Sequence, residues 1–297
     1  MTVPEKEAVL PARKGALRDI GHVAYHRLAT MTAALRLEPG FLMIGVSRCG
    51  TTSMFQALAA HPQLVRPARH KGVYYFDLNY YRGPDWYRGH FPLTRAARRR
   101  AAPFGEPVAF EASGYYIYHP FALGRVARDI PSIKLLVMLR DPVARAYSAY
   151  KHESARGFEH VNSFEEALKL EDERLAGETE RMRLDPRYEG FSHRHHSYRH
   201  RGHYAEQLER VFALFPRSQV HIVESEAYFT RPGPEYQRVL AFLGLGAFEP
   251  PAFTQPKAHP SQPMAASTSD MLRRYYAPHD ERLAELLGRP ASWANGR

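Results

Sequence analysis

Residues 41–54 constrain the fold of this chain more than any other stretch of its sequence. Residues 41–46 are a short apolar run with the length of a buried strand. Residues 47–50 are small and turn-forming, and residues 51–60 have the apolar spacing of a helix. A strand, a glycine-bearing loop and a helix N-terminus direct several backbone N–H groups at one point and favour an anion there. The stretch therefore predicts a phosphate-binding loop in an α/β fold.

This loop differs from the common nucleoside-triphosphate loop, which needs a lysine directly after its second glycine. Gly45 and Gly50 have the expected separation, but Thr51 stands at the lysine position. The cation is instead Arg48, inside the loop, and no clear aspartate at a strand end is available to help hold magnesium. The loop suits a phosphate-bearing donor that needs no metal, so no metal is expected in the transfer reaction.

A second anion motif follows the apolar run at residues 133–139, which reads as a strand. Asp141 is a good N-cap and Pro142 a good first residue for the helix that begins there. Arg140 lies at the strand end, and Ser148 lies about two turns into the helix, where side chains lean back toward the N-terminus. Both side chains can reach an anion beside the first loop, although a carboxylate partner for Arg140 is the simpler alternative.

Both motifs resemble those of sulfotransferases that use 3′-phosphoadenosine 5′-phosphosulfate (PAPS) and release the bisphosphate product PAP. Residues 45–53 resemble the 5′-phosphosulfate loop, and Arg140 with Ser148 resembles the 3′-phosphate motif. The similarity spans residues 41–293 and is greatest to bacterial members related to heparan sulfate and other carbohydrate sulfotransferases. It implies an α/β fold with a P-loop-like, mostly parallel sheet flanked by helices. The sulfotransferase domain would occupy residues 40–297, after an N-terminal helical extension at residues 1–39.

The resemblance implies a role for each matching residue. Arg48 would neutralise the 5′-phosphate and the charge that develops during transfer, and Arg140 and Ser148 would hold the 3′-phosphate. A late basic residue, Lys257, would also approach the nucleotide. The other residues expected to contact the nucleotide are Cys49, Gly50, Thr51, Thr52 and Ser53 of the loop, and Tyr198 and Gly202 before a later helix. Cys49 is interpreted as a small loop residue and not as a nucleophile.

The segment that begins at Lys71 resembles a family segment that contains a catalytic lysine–glutamate pair. Lys71 is kept, but Gly72 stands where many relatives have the glutamate that acts as the base. Glu111, at the end of a predicted strand, is favoured narrowly over His70 as the replacement base. For Glu111, an ion pair with Arg48 or Lys71 is an equally good alternative.

Composition restricts the partners and the compartment. The 297 residues are 44% hydrophobic, enough for one sizeable domain, and the net charge of +10 favours anionic partners. No zinc-type Cys/His spacing or aromatic-basic RNA motif indicates nucleic acid. The single cysteine fits a reducing cytoplasm, and no apolar run has the length of a membrane span. The basic, partly apolar segment at residues 12–37 reads as a helix packed on the domain, with a membrane-surface helix as the alternative.

The resemblance allows several acceptors and two alternative functions. The acceptor is predicted to be a hydroxyl of a carbohydrate, glycoconjugate, lipid or secondary metabolite, and the sequence indicates no oligomeric state. The alternatives are a P-loop kinase and a nucleotide-binding pseudoenzyme with the sulfotransferase fold. The histidine-rich residues 191–203 are interpreted as an exposed loop near the mouth of the site and not as a metal cluster.

Overall fold

A five-stranded sheet forms the centre of the computed structural model, which describes residues 27–68, 70–254 and 263–296. The strands are β1 (Pro39–Gly45), β2 (Leu64–Val65), β3 (Val108–Ala112), β4 (Lys134–Leu139) and β5 (Val220–Glu224). Their spatial order is β2-β3-β1-β4-β5, and every neighbouring pair is parallel. The predicted α/β class with a mostly parallel sheet is confirmed, and β1 lies at its middle.

The central strands are apolar on both faces because helices cover both faces of the sheet. Residues 41–44 of β1 and residues 135–139 of β4 are completely buried. Continuous burial of this kind is typical of parallel sheets, in which the crossover helices leave neither face to water. The loop that follows β1 therefore stands on the fully buried centre of the sheet.

Helices connect the strands and cover the sheet. The α-helices after residue 50 are α1 (Thr51–Ala60), α2 (Pro84–Arg88), α3 (Thr94–Ala101), α4 (Ala122–Asp129), α5 (Pro142–Ala155), α6 (Phe164–Leu175), α7 (Glu178–Leu184), α8 (Phe191–His195), α9 (Tyr204–Leu214), α10 (Ser225–Thr230), α11 (Pro232–Leu243) and α12 (Ala266–Leu287). Short 3-10 or π turns occupy Ala33–Leu35, Tyr75–Asn79, Tyr80–Arg82, His200–Gly202, Arg217–Gln219 and Ser292–Gly296.

The sequence predicts helix starts at Asp141 and at Ser163, and both are confirmed by their caps. The Asp141 side chain accepts a hydrogen bond from the Val143 N–H (3.1 Å), and Pro142 is the first residue of α5. The Ser163 side chain likewise accepts from the Glu166 N–H (3.1 Å) at the start of α6. Each cap satisfies a backbone donor that has no partner within its helix.

The sequence predicts a closing helical segment at residues 272–287 that is broken at Pro278. The break is wrong, because α12 continues through this residue as one helix. Proline lacks the N–H group that would bond to the carbonyl four residues earlier, at Arg274. Pro278 and Arg274 are both exposed, so water can take the place of the lost bond.

The prediction that residues 191–203 are an exposed loop is also wrong. His193 and His196 are buried, and the segment contains α8 and the turn at 200–202. The His193 ring shares a 2.7 Å hydrogen bond with the Tyr115 hydroxyl, and His196 Nε2 lies 3.0 Å from the Phe158 carbonyl oxygen. Each ring therefore has a hydrogen-bond partner for at least one of its nitrogens inside the protein.

A second hydrophobic cluster lies under the helix that carries the second anion motif. It is formed by Val143, Ala146, Ala149, Phe164, Ala167, Leu168, Tyr198, Leu272 and Tyr276. These residues join α5 to α6 and α12, and thereby fix the face of α5 that presents Ser148.

Two predictions lie partly or wholly outside the described residues. Residues 1–26 of the predicted extension and Lys257 belong to this part of the chain. Among the described residues, no helix is both long enough and apolar enough to cross a membrane.

Candidate active site

The loop after β1 is fixed to the strands on either side of it. The Val46 N–H donates to the Met138 carbonyl (2.8 Å), and the Ser47 N–H donates to the Gly114 carbonyl (3.1 Å). Gly50 caps α1 with a φ of 75°, and a Cβ atom there would lie 2.9 Å from the ring of Phe229. A glycine is therefore required at this position for conformation and for space.

Two further side chains hold the loop, and the sequence prediction missed both. The Ser225 hydroxyl lies 2.7 Å from the carbonyl oxygen of Cys49 and 2.8 Å from that of Leu139. The Tyr204 hydroxyl donates to the Arg140 carbonyl (2.8 Å). Both residues begin helices far along the chain, so no local pattern near the loop indicates them.

The two predicted anion motifs meet at Arg48. Its Nε donates to the Ser148 hydroxyl (3.1 Å), and its Nη1 lies 3.4 Å from Nδ1 of His152. The Arg140 guanidinium donates to the Arg48 carbonyl (3.3 Å). Burial and the nearby Arg140 charge lower the pKa of Arg48 from its ordinary value. The structure therefore brings together the arginine of the first motif and both residues of the second.

Lys71 completes the group of cations at the start of α1. Its Nζ donates to the hydroxyls of Thr51 (2.9 Å) and Thr52 (3.3 Å). Burial, followed by the charge of Arg48, lowers the pKa of Lys71 to about 7. A helix N-terminus with several nearby cations is a strong anion site, since its free N–H groups already favour negative charge.

Cys49 is the buried residue of the loop. Its Sγ lies 3.8 Å from the Tyr204 hydroxyl, and burial raises the pKa of the thiol to about 12. The thiol is therefore protonated near neutral pH, which agrees with its interpretation as a small loop residue.

Glu111 lies in the core and not in the cleft. Its carboxylate accepts hydrogen bonds from the Val73 N–H (2.5 Å), the Tyr116 hydroxyl (2.7 Å) and the Tyr87 hydroxyl (3.1 Å). It is completely buried, and burial raises its pKa to about 7. This geometry gives no support to Glu111 as the base, and its partners are not Arg48 or Lys71. The carboxylate instead fixes the segment that follows Lys71.

Close packing explains why glycine occupies position 72, where many relatives have a glutamate. A Cβ atom on Gly72 would lie 2.6 Å from the Ala112 carbonyl oxygen, because the backbone here is pressed against β3. The Ala112 N–H also donates to the Lys71 carbonyl (3.0 Å), which holds the two segments together. His70, the second predicted base, is exposed just before this contact.

Two further titratable side chains are His152, which the sequence prediction missed, and Asp77, which it interpreted as a cap of the following turn; the Leu78 N–H does donate to Asp77 (2.7 Å). His152 contacts Arg48 and is half-buried; burial and the Arg48 charge lower its pKa. Asp77 is buried, accepts from the Ser113 hydroxyl (3.1 Å), and has its pKa raised to about 6 by burial. The position of His152, four residues after Ser148 on a helix, places both on one face and would have indicated it.

An aromatic ring and a cation lie together beside Asp77. Tyr74 has a φ of 56° and is about two-fifths exposed, at 38%. The Arg194 guanidinium lies 5.7 Å from the centre of its ring, within the range of a cation–π contact. Aromatic faces and guanidinium groups are suited to polar acceptors with ring surfaces and negative charge.

The remaining predicted nucleotide contacts lie further from the loop. Tyr198 is fully buried in the second hydrophobic cluster, and its hydroxyl donates to Glu159 (2.8 Å), so its side chain does not face the nucleotide loop. A Cβ atom on Gly202 would lie 2.6 Å from the ring of Tyr276, so this glycine is needed for packing.

This arrangement defines a class of protein. A parallel α/β sheet with a loop at the end of its middle strand, and two basic motifs meeting there, is an arrangement suited to an anionic ligand at the carboxyl ends of the strands. The chain belongs to the sulfotransferase family: the family model of the sulfotransferase domain matches residues 38–263.

Comparisons with known proteins agree with this family. The chain is 25% identical over 283 residues to human heparan sulfate glucosamine 3-O-sulfotransferase 5, covering 86% of this chain and 74% of that protein. It is 26% identical over 293 residues to human bifunctional heparan sulfate N-deacetylase/N-sulfotransferase 3, covering 86% of this chain and 31% of that protein. A crystal structure of a sulfotransferase from Alicyclobacillus acidocaldarius superposes with a TM-score of 0.62 at 28% identity, covering 86% of this chain and 98% of that one.

Proposed function

We propose that this protein transfers a sulfuryl group from PAPS to a hydroxyl group of a carbohydrate-type acceptor and releases PAP. The observation that carries the proposal is the junction at Arg48, where the 5′ loop meets Ser148 and Arg140 of the second motif. In the reaction, a bond forms between the acceptor oxygen and sulfur while the bond from sulfur to the 5′-phosphate oxygen breaks. The acceptor hydroxyl loses its proton.

Different residues of the junction bind the 5′-phosphate, the 3′-phosphate and the bridging oxygen of the donor. The N–H groups at the start of α1 and the hydroxyls of Thr51 and Thr52 hold the 5′-phosphate, with Lys71 beside them. Arg140 and Ser148 hold the 3′-phosphate. Arg48 lies between the two groups and stabilises the negative charge that grows on the bridging oxygen. A phosphate beside Lys71 raises its lowered pKa and keeps the lysine charged.

The proton of the acceptor requires a base other than Glu111, and we propose His152. Its contact with Arg48 supports this role, and its lowered pKa favours the neutral ring at pH 7. A neutral imidazole is the form that can take a proton. Asp77 is the alternative base, since burial raises its pKa to about 6, close to the operating pH.

The acceptor class rests on two observations. Tyr74 and Arg194 lie together beside Asp77, and such a pair can stack on a sugar ring and bind an anionic substituent. The named relatives include sulfotransferases of heparan sulfate, a carbohydrate polymer. Similarity to the O-sulfotransferase relative supports a hydroxyl acceptor, whereas similarity to the N-sulfotransferase relative supports an amine acceptor.

The test is release of PAP from PAPS in the presence of defined acceptors. A panel that includes N-sulfated and free-amine heparan oligosaccharides, without added metal, separates hydroxyl from amine transfer by mass spectrometry of the product. The Arg48→Ala variant is the control for background hydrolysis. Phosphoryl transfer from ATP and magnesium would establish the kinase alternative. PAP binding without turnover on any carbohydrate, lipid or small hydroxyl acceptor would establish the pseudoenzyme.

We further propose a cytoplasmic enzyme with a peripheral membrane contact through its N-terminal helix. The described end of this segment supports the contact, because Leu28, Met31 and Leu35 recur at helical spacing and are exposed. Sedimentation with anionic and neutral vesicles tests it. Equal sedimentation of the wild type and a Met31→Ser variant would oppose the proposed contact.

A further inference from the structure

His203, Glu206 and His279 bring three metal-ligating side chains together on two helices. His203 immediately precedes α9, Glu206 lies in its first turn, and His279 belongs to α12. One ligand atom from each residue lies within 4.8 Å of the other two. None of these residues belongs to the junction around Arg48, so the cluster is separate from the proposed sulfuryl-transfer site.

The distances between Glu206 and the two histidines are longer than hydrogen bonds and close to the separation of two ligands on one metal ion. One carboxylate oxygen of Glu206 lies 3.8 Å from Nδ1 of His203 and 3.7 Å from Nδ1 of His279. Both distances exceed a normal hydrogen bond. Two ligands bound to one zinc ion at 2.0–2.1 Å are separated by about 3.3–3.6 Å for tetrahedral to trigonal angles. Each histidine nitrogen therefore needs to approach the Glu206 oxygen by only a few tenths of an ångström.

Neighbouring groups already orient the cluster. Nε2 of His203 lies 2.8 Å from the Tyr275 hydroxyl, so that contact occupies one ring nitrogen and leaves Nδ1 toward Glu206. Such a bond on the second nitrogen is typical of metal-bound histidines. One turn further along the same two helices, Arg282 and Glu209 form a two-pronged ion pair at 2.6 and 2.7 Å, which fixes their register.

The histidine rings require one adjustment. They lie parallel, with centres 3.9 Å apart and an interplanar angle of 7°. An imidazole binds a metal ion in its ring plane, so the partly exposed His279 ring must rotate about its Cβ–Cγ bond to share one ion with His203. Two imidazoles and one carboxylate, with a water at the fourth position, suit zinc.

We propose that His203, Glu206 and His279 bind a zinc ion that ties α12 to the start of α9. The ion would strengthen a contact that the structure already makes, in which the Tyr276 hydroxyl donates to the Arg199 carbonyl (2.9 Å). Its role is to stabilise the fold and not to take part in transfer.

The experiment is isothermal titration of the full chain with zinc chloride after treatment with EDTA, in buffer without phosphate. We expect one zinc per chain at this site, and an affinity at least about tenfold lower in His279→Ala and in Glu206→Gln. His160→Ala removes an exposed histidine elsewhere and is the matched control in a chain of 16 histidines. Zinc should also raise the melting temperature of the wild type more than that of His279→Ala.

Tyr275→Phe tests the orienting bond, and we expect it to weaken zinc binding while leaving the number of sites at one. His279→Asn replaces His279→Ala if the alanine variant does not fold. Zinc affinity that is equal in the wild type, His279→Asn and Glu206→Gln would overturn the proposal, as would the absence of binding at micromolar zinc. Because the measurement is zinc binding, its result is independent of whether the protein transfers sulfuryl groups.

Discussion

Replacement of Arg48 by alanine is the sharpest test of the proposed chemistry. The side chain contacts Ser148 and His152, and it is the cation between the two proposed phosphate sites. Arg48 has a φ of 73°, and alanine adopts the same left-handed conformation at a similar cost, so the backbone is little affected. The variant therefore removes a charge and a hydrogen-bond donor without changing the backbone conformation of the loop.

The expected loss differs between turnover and nucleotide binding. Removal of one donor that stabilises transition-state charge typically lowers turnover by about 10²–10³-fold, or about 2.7–4 kcal/mol. PAP lacks the sulfuryl group, and its phosphates keep Lys71, Arg140 and the N–H groups of α1. We expect PAP affinity to fall only about tenfold, which corresponds to about 1.4 kcal/mol.

The assay compares single-turnover rates with PAPS and calorimetric PAP affinity for the wild type, Arg48→Ala and Arg48→Lys. Lysine keeps the charge but offers a single nitrogen, so it cannot contact Ser148 and His152 through two separate nitrogens, and an intermediate rate is expected. Unchanged melting temperatures confirm that the variants are folded. A turnover rate for Arg48→Ala within about threefold of the wild type would refute the assignment of Arg48 as the catalytic cation.

Four further outcomes are expected. Arg140→Ala and Ser148→Ala should reduce the preference for PAP over AMP in calorimetry, and an unchanged preference in both would place the 3′-phosphate elsewhere. His152→Asn should lower turnover at least about 100-fold with PAP affinity unchanged, whereas an equal loss in Asp77→Asn alone would assign the base to that residue. Because burial raises the pKa of Glu111 from 4.5 to about 7, the folded protein retains a proton there that the unfolded chain has released. The free energy of unfolding should therefore fall as pH rises through this window, by at most about 1.4 kcal/mol per pH unit, and urea titrations of Glu111→Gln should show a smaller fall. Gly72→Glu should lower the melting temperature without raising turnover, since its Cβ meets the backbone of β3.

The sequence predicted those parts of the site that depend on local pattern. The loop, its helix and the pair Arg140 and Ser148 each follow directly from a strand that ends at the sheet edge, and side chains there have little choice of direction. The order of the elements then brought the two motifs together, because parallel strands place all their carboxyl ends at one edge. Local spacing and topology were therefore sufficient for the cation junction.

The base could not be predicted in this way, because it depends on side-chain direction and on distant partners. Glu111 was expected at the end of β3, but the strand continues to Ala112, and the carboxylate turns into the core. The hydroxyls that hold it there belong to Tyr87 and Tyr116. No local sequence pattern predicts that their segments pack against Glu111.

Gly72 shows why a missing family residue is ambiguous in a sequence. From the sequence alone, glycine at the position of a catalytic glutamate suggests that activity has been lost. In the structure, the same glycine allows the chain to pack against Ala112, while Lys71 still reaches the hydroxyls of Thr51 and Thr52. His152 meanwhile contacts Arg48 from the opposite motif. The cations therefore remain in place without the glutamate side chain. The proposed base, His152, lies on α5 instead, and the His152→Asn experiment tests it.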